Sequence, residues 1–115
     1  MTDACHFCKI ISGEAKAEVV YRDAQVTAFP DIHPVAPTHI LIVPNQHIES
    51  VNVLKPEDEQ MMGHLFSVAR QLAEEAGVSK SGYRLIVNTG TDGGQSIYHL
   101  HLHLMGGQQM RYPMG

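Results

Sequence analysis

Three histidines alternate with three leucines in 98-YHLHLHLMGG-107 before the chain runs into Gly106 and Gly107. Strict apolar/polar alternation selects one regular conformation, a strand with one dry and one polar face. It points His99, His101 and His103 the same way and sends Leu100, Leu102 and Leu104 to a core. Same-face positions on a strand lie roughly 6.5–7 Å apart, which separates the outer pair by about 13 Å. A row of that length cannot wrap three imidazoles around one metal ion, although two neighbours can share one.

A strand needs neighbours, and the remaining sequence supplies them. 18-EVVYRD-23 and 25-QVTAFPD-31 are β-branched and aromatic runs broken at Asp23-Ala24, the pattern of a hairpin. In 38-THILIVPNQH-47 the run from Ile40 to Val43 is continuously apolar and closes at Pro44, as a central strand does. The three prolines of 30-PDIHPVAPTH-39 predict a stiff, extended connection before it. 83-YRLIVN-88 and 97-IYHLHLHLM-105 read as strands joined by the glycine-rich loop 89-TGTDGGQS-96. Residues 6–13 read as a short helix or turn ended by Gly13. One long helix begins at Pro56, with Glu57, Asp58 and Glu59 at its positive end, and stops at Gly77. Its apolar face carries Met61, Leu65, Val68, Ala69 and Leu72, broadened by Met62 and Phe66. Together these predict an α+β domain: an antiparallel sheet of about five strands with one long helix.

A chain of 115 residues holds one such core, so residues 1–115 are read as a single domain. No apolar run approaches the ~20 residues of a membrane span, and MTDACHFCKI lacks the pattern of a signal peptide. A cytoplasmic location is the default. With net charge −4 and no basic cluster, long nucleic acids are poor partners, whereas a small nucleotide held by backbone amides is allowed.

The glycine loop and the histidine row gain meaning together. Gly90, Gly93 and Gly94 permit backbone N–H groups to turn inward, and Ser96 adds a hydroxyl, the makings of an anion nest. A phosphate held there lies within reach of an imidazole that is largely neutral near pH 7, its ordinary pKa being ~6.5. Such a nitrogen can attack phosphorus and form a covalent intermediate.

The segment 99-HLHLHLM-105 resembles the His-φ-His-φ-His-φ-φ motif (φ apolar) of the histidine triad (HIT) family. Its surroundings, 82-GYRLIVNTGTDGGQSIYHLHLHLMGGQQM-110, resemble the Hint branch, the purine nucleoside phosphoramidases; 28-AFPDIHPVAPTHILIVPNQHI-48 and the Phe-x-Lys-Ile-Ile start at Phe7 add to the likeness. The resemblance implies that His101 attacks the α-phosphorus of a nucleoside 5′-phosphoramidate and that water then hydrolyses the adduct, with no cofactor for catalysis. It implies that His103 holds phosphate oxygens and manages the leaving amine's proton, alongside Ser96. It makes His39 a support for the catalytic imidazole, and Asn88, Gly94, Gln95 and Ser96 the phosphate and leaving-group side. Phe7, Ile10, Phe29, Ile32 and Leu41 correspond to the apolar cover of the base, and Asp31 to the carboxylate that takes the ribose hydroxyls. Sister chemistries of the family are the alternatives, dinucleoside polyphosphate hydrolysis or nucleotidyl transfer, as is a catalytically weak nucleotide-binding scaffold. The Gly-Gly-Gln-Ser approach, the Arg111-Tyr112 tail and the short chain favour the phosphoramidase.

Cys5-x-x-Cys8 is compatible with a disulfide, a redox pair or half of a zinc site, and a cytoplasmic setting counts against the first. Structural zinc needs two more ligands, normally His or Cys. By resemblance to some bacterial HIT members these are His47 and His99, a Cys₂His₂ set. His6, His33 and His64 receive no role. Resemblance to the Hint branch also implies a two-fold homodimer formed through the long helix and a strand edge. It places the tail Arg111-Tyr112-Pro113 near the partner's site, with Tyr112 where that branch often has Trp.

Overall fold

The computed structural model of the protein describes residues 5–111. Five strands form one antiparallel sheet in the order β1-β2-β3-β5-β4. They are β1 (Tyr21–Arg22), β2 (Val26–Pro30), β3 (Thr38–Pro44), β4 (Tyr83–Val87) and β5 (Leu102–Gly106). Helix α1 (His6–Ser12) precedes the sheet, and helix α2 (Glu59–Glu75) follows β3 through two short 3₁₀ turns, Val51–Val53 and Pro56–Asp58. The α+β architecture with five strands and one long helix is as the patterning predicts. No helix among the described residues is long and apolar enough to cross a membrane.

The pleat divides the sheet into two differently used faces. On β3, Ile40 and Ile42 join Val26, Ala28, Leu102 and Leu104 in a core against Leu65, Val68 and Leu72 of α2. The intervening residues Leu41 and Val43 look the other way and pack with Phe29 against Phe7 and Ile10 of α1. Register carries the alternation across the sheet, since Leu41 of β3 and Ile86 of β4 both stand opposite His103 of β5. The α2 face is therefore dry core, and the α1 face carries the histidines.

Helix α1 begins where the Cys5 sulfur accepts a hydrogen bond from the Cys8 N–H at 3.3 Å, and ends at Gly13 with φ +88°. Only glycine adopts that left-handed conformation without strain, as the sequence reading required. At the far end of the sheet Asp23 accepts from the N–H groups of Gln25 and Val26, each at 2.8 Å, and closes the β1–β2 turn. His64 on α2 reaches the same carboxylate at 2.6 Å, so the hairpin is pinned to the long helix. His64 was assigned no role from the sequence; its position is structural.

Three local readings need correction. Only Leu102–Gly106 of the expected strand 97–105 pairs with its neighbours. Beyond the Ile42–Leu102 pair the next partner on β3's outgoing side is Pro44, which has no N–H to offer. The Pro44 carbonyl is taken by the His99 ring at 2.8 Å, and the Leu100 N–H goes to the Ile48 carbonyl at 2.7 Å. Alternation nevertheless survives, because Leu100 still packs in the α2 core. The proline-bearing connection 31–37 turns rather than extends: Asp31 accepts from the His33 N–H at 2.9 Å, and the Val35 N–H donates to His39 Nδ1 at 3.2 Å. The first turn of the long helix, at Pro56, is 3₁₀ rather than α. The Tyr112 and Pro113 readings lie outside the described residues.

Candidate active site

A cavity of about 680 Å³ opens on the α1 face of the sheet. That size suits a nucleotide-sized ligand. One wall is apolar: Phe7 and Ile10 come from α1, Phe29 from β2 and Leu41 from β3. Asp31 and Ile32 follow directly at the end of β2, with Ile32 on the rim at 81% exposure. Asn88, Gly94 and Ser96 line the side formed by the glycine loop, and His39, His101 and His103 form the floor. Among the described residues Lys16 carries the one fixed positive charge of the lining.

Hydrogen-bond partners assign a tautomer to each buried imidazole, because a carbonyl oxygen only accepts and a backbone N–H only donates. His101 Nδ1 lies 2.7 Å from the His99 carbonyl oxygen and is therefore the protonated nitrogen. Its Nε2 keeps a free lone pair. His39 Nδ1 accepts from Val35, so the His39 proton sits on Nε2, 3.0 Å from His103 Nδ1 and 3.4 Å from an Asp31 carboxylate oxygen. His103 Nδ1 is thereby an acceptor and its Nε2 carries a proton. That Nε2 is buried and has no partner among the described residues. A buried donor without an acceptor is costly unless a ligand supplies one.

Burial favours the neutral form of His39 and His103. It pushes His103 down to about 4, helped by the neighbouring His101 and His39. It also lowers His39, against the opposing pull of the Asp31 carboxylate. Although Asp31, His39 and His103 converge closely enough to suggest a cation, the His39 Nε2 proton occupies the space that a cation needs, and the three form a hydrogen-bonded chain instead.

A second cluster lies behind Phe7. Ligand atoms of Cys5, Cys8, His47 and His99 all fall within 4.8 Å of one another. Cys5 Sγ to His99 Nδ1 is 3.3 Å, Cys8 Sγ to His47 Nδ1 3.3 Å and Cys8 Sγ to His99 Nδ1 3.5 Å. Zn–S and Zn–N bonds of ordinary length at tetrahedral angles give S···N edges of about 3.5 Å. His99 Nε2 donates to the Pro44 carbonyl, leaving the Nδ1 lone pair toward the sulfurs. The donor set, spacing and tautomer all fit a tetrahedral zinc. Burial and the adjacent Cys5 push the Cys8 thiol up to about 11, a penalty on the thiolate that a cation reverses.

A family model described as the scavenger mRNA decapping enzyme C-terminal binding domain matches residues 4–113. The chain is 49% identical over 110 residues to the purine nucleoside phosphoramidase of Escherichia coli (strain K12), spanning 96% of this chain and 92% of that protein. Among solved structures it resembles a HIT family hydrolase from Legionella pneumophila, with TM-score 0.93 and 47% identity over 96% of this chain and 99% of that one. A HIT family hydrolase from Clostridium thermocellum superposes with TM-score 0.94 at 40% identity, covering 97% of each chain. The chain belongs to the histidine triad family.

Within this HIT domain the predicted residues fall into three groups. His39, His101 and His103, the nucleoside candidates, and Asn88, Gly94 and Ser96 line one cavity; Cys5, Cys8, His47 and His99 form the separate cluster; Gly90, Gly93 and Gln95 belong to neither. For Gln95 the cause is local. Its side chain is buried, accepts from the Gly90 N–H at 3.0 Å and donates to the Glu49 and Ile97 carbonyls at 2.7 and 3.1 Å. It braces the loop from behind, while its neighbours Gly94 and Ser96 face the cavity. Sequence reasoning missed Ile86 and Met105, which line the floor, and His6, Lys16, Glu18 and His33 at other parts of the lining. Ile86 was findable, being two residues before Asn88 on the same strand face; Lys16 sits in an irregular connection with no periodic signal, and Glu18 opens the expected strand 18–23, of which only Tyr21–Arg22 pairs.

Proposed function

We propose that this protein hydrolyses purine nucleoside 5′-phosphoramidates, releasing a nucleoside monophosphate and an amine, through a nucleotidyl-histidine intermediate at His101. The carrying observation is the His101 tautomer: its Nδ1–H is held by the His99 carbonyl, and its Nε2 lone pair is left for attack. The likeness to purine nucleoside phosphoramidases supports the substrate class.

In this reading the base lies against Phe7, Ile10, Phe29, Ile32 and Leu41, and Asp31 accepts hydrogen bonds from the ribose hydroxyls. The phosphate sits between the Gly94–Ser96 turn and the imidazoles, where the unpartnered His103 Nε2–H donates to a phosphoryl oxygen. His101 Nε2 attacks phosphorus, an N–P bond forms, and the P–N bond to the amine breaks with its electron pair leaving on nitrogen. The departing nitrogen takes up a proton on the Ser96 and His103 side, because an unprotonated amide is a poor leaving group. Water then attacks phosphorus, the His101 N–P bond breaks, and the proton of water replaces the one the amine removed. His39 holds His103 in the required tautomer, and Asn88 lines the leaving-group side.

Cys5, Cys8, His47 and His99 would hold a structural zinc, which when bound supplies a cross-link rather than a reacting group. A two-fold homodimer follows the family resemblance and is supported by the half-exposed Phe66 on α2 and by β4, an edge strand with one neighbour. A single HIT domain acting on a soluble nucleotide fits a cytoplasmic setting.

The test is intact-mass spectrometry without acid quenching on protein mixed with adenosine 5′-phosphoramidate, beside His101→Ala. A transient AMP adduct on the native chain and none on the variant is the expected result. AMP release from the variant at the native rate overturns the proposal.

A further inference from the structure

We propose that the Cys5/Cys8/His47/His99 cluster is an affinity-setting clamp for the nucleotide cavity, fixing Phe7 and the His99 main chain and through them the position of His101. This deepens the zinc and nucleotide readings above and rests on both.

Two connections run from the cluster to the reacting nitrogen. The first is His99 itself. Its Nδ1 faces the two sulfurs, its Nε2 is tied to Pro44, and its carbonyl oxygen accepts the His101 Nδ1–H at 2.7 Å. One residue thus joins the metal donors by its side chain and the nucleophile by its main chain. Moving His99 releases the bond that keeps the lone pair on His101 Nε2.

The second connection is Phe7. Its ring stands edge-on between the two histidines, 5.9 Å from the His99 centroid and 5.3 Å from that of His101, and also contacts Phe29 at 5.2 Å. Phe7 is adjacent to Cys8 in a helix of seven residues. A helix that short has little stability of its own and takes its position from whatever tethers it. Its tethers are buried Phe7 and Ile10 and the sulfurs of Cys5 and Cys8. A cation bridging those sulfurs to His47 and His99 ties α1 to residues 39 or more positions away in the chain. Cys5, Cys8 and His47 are positioning residues in this scheme, and Phe7 transmits their constraint to the base wall.

Coupling of this kind is reciprocal: the factor by which metal strengthens AMP binding equals the factor by which AMP strengthens metal binding. The experiment uses the full chain, loaded with one equivalent of zinc and then stripped with chelator, and follows AMP by calorimetry and the His101 tautomer by long-range ¹H–¹⁵N correlation. Stripping is expected to raise the AMP Kd roughly tenfold and to lose the single Nδ1–H tautomer of His101. KM should rise more than kcat falls. Cys8→His, which keeps a donor, should retain both properties, whereas Cys8→Ser should behave like the stripped protein. Cobalt(II) in place of zinc keeps the cluster filled and the protein folded, so its visible bands should shift on AMP saturation in the native chain and shift less in Phe7→Leu, where only the His99 connection is left. A chain that binds one metal but whose AMP affinity, tautomer and cobalt bands are all insensitive overturns the clamp and leaves the zinc reading standing. Failure to take up one equivalent of metal overturns both. Failure of the loaded protein to bind AMP overturns the proposed function.

Discussion

Replacing Gln95 by Met removes a buried polar brace while keeping the side chain's approximate length and volume. In the native protein this amide, 6% exposed, makes three hydrogen bonds that tie Gly90 of the glycine loop and Ile97 just after it to Glu49 in the segment that follows β3. Net contributions of about 1 kcal/mol per bond predict a loss of about 3 kcal/mol. The partners are backbone groups of half-exposed or exposed residues, so water can re-satisfy some of them and the loss stays near that figure. For a domain of this size the corresponding fall in melting temperature is roughly 10 °C. Gln95→Glu should be worse, because it sets an anion against two carbonyl oxygens. Urea unfolding followed by circular dichroism measures the stability. Turnover of adenosine 5′-phosphoramidate well below the transition measures the second effect, a drop in kcat/KM of about tenfold as Gly94 and Ser96 lose their backing. A Gln95→Met protein within about 0.5 kcal/mol of the native one and with unchanged kcat/KM refutes the brace.

Acid should weaken the fold through the buried histidines. His103, held at about 4 by burial and by its two histidine neighbours, stays neutral in the folded chain where the unfolded chain already binds a proton, below ~6.5. Its contribution is complete above pH ~6.5 and is lost as pH falls toward 4. The urea midpoint should therefore drop between pH 7 and pH 5, less steeply in His103→Gln, and a midpoint independent of pH contradicts the assignment. Asp31→Asn should raise KM for a ribonucleoside phosphoramidate about tenfold and erase discrimination against the 2′-deoxy substrate; retained discrimination counts against Asp31 as the ribose contact. Leu104→Ala, at a fully buried position of the α2 core, should cost about 3 kcal/mol by calorimetry with kcat unchanged at low temperature. A parallel loss of kcat there means that the two faces of the sheet are not separable.

The α2 face of the sheet, the cap at Gly13 and the one-sided histidine row were legible because each depends on residues a few positions apart. Leu102 and Leu104 alternate with His103 in the chain as they do in the sheet, and Met61, Leu65, Val68 and Leu72 share one side of a helix by spacing alone. The limits were equally local. Nothing near residue 101 announces that pairing stops at Leu102, because the cause is Pro44, a strand away.

By itself the sequence determined that three imidazoles share a face and that a glycine turn leads into them, since a pleat of period two is a property of the backbone. Tertiary structure decided how most of the other groups are tied, while the His101 Nδ1–H meets a carbonyl only two residues back in the chain. The tautomers of His99, His39 and His103 are set by Pro44, Val35 and His39, and the roles of Cys5 and Gln95 by His99 and Glu49. Apart from Val35, which reaches His39 across four residues, these partners lie 46 to 94 positions apart in the chain. A hydrogen bond works only within about 3 Å, a distance that chain separations of this kind acquire only when the sheet's register brings them together.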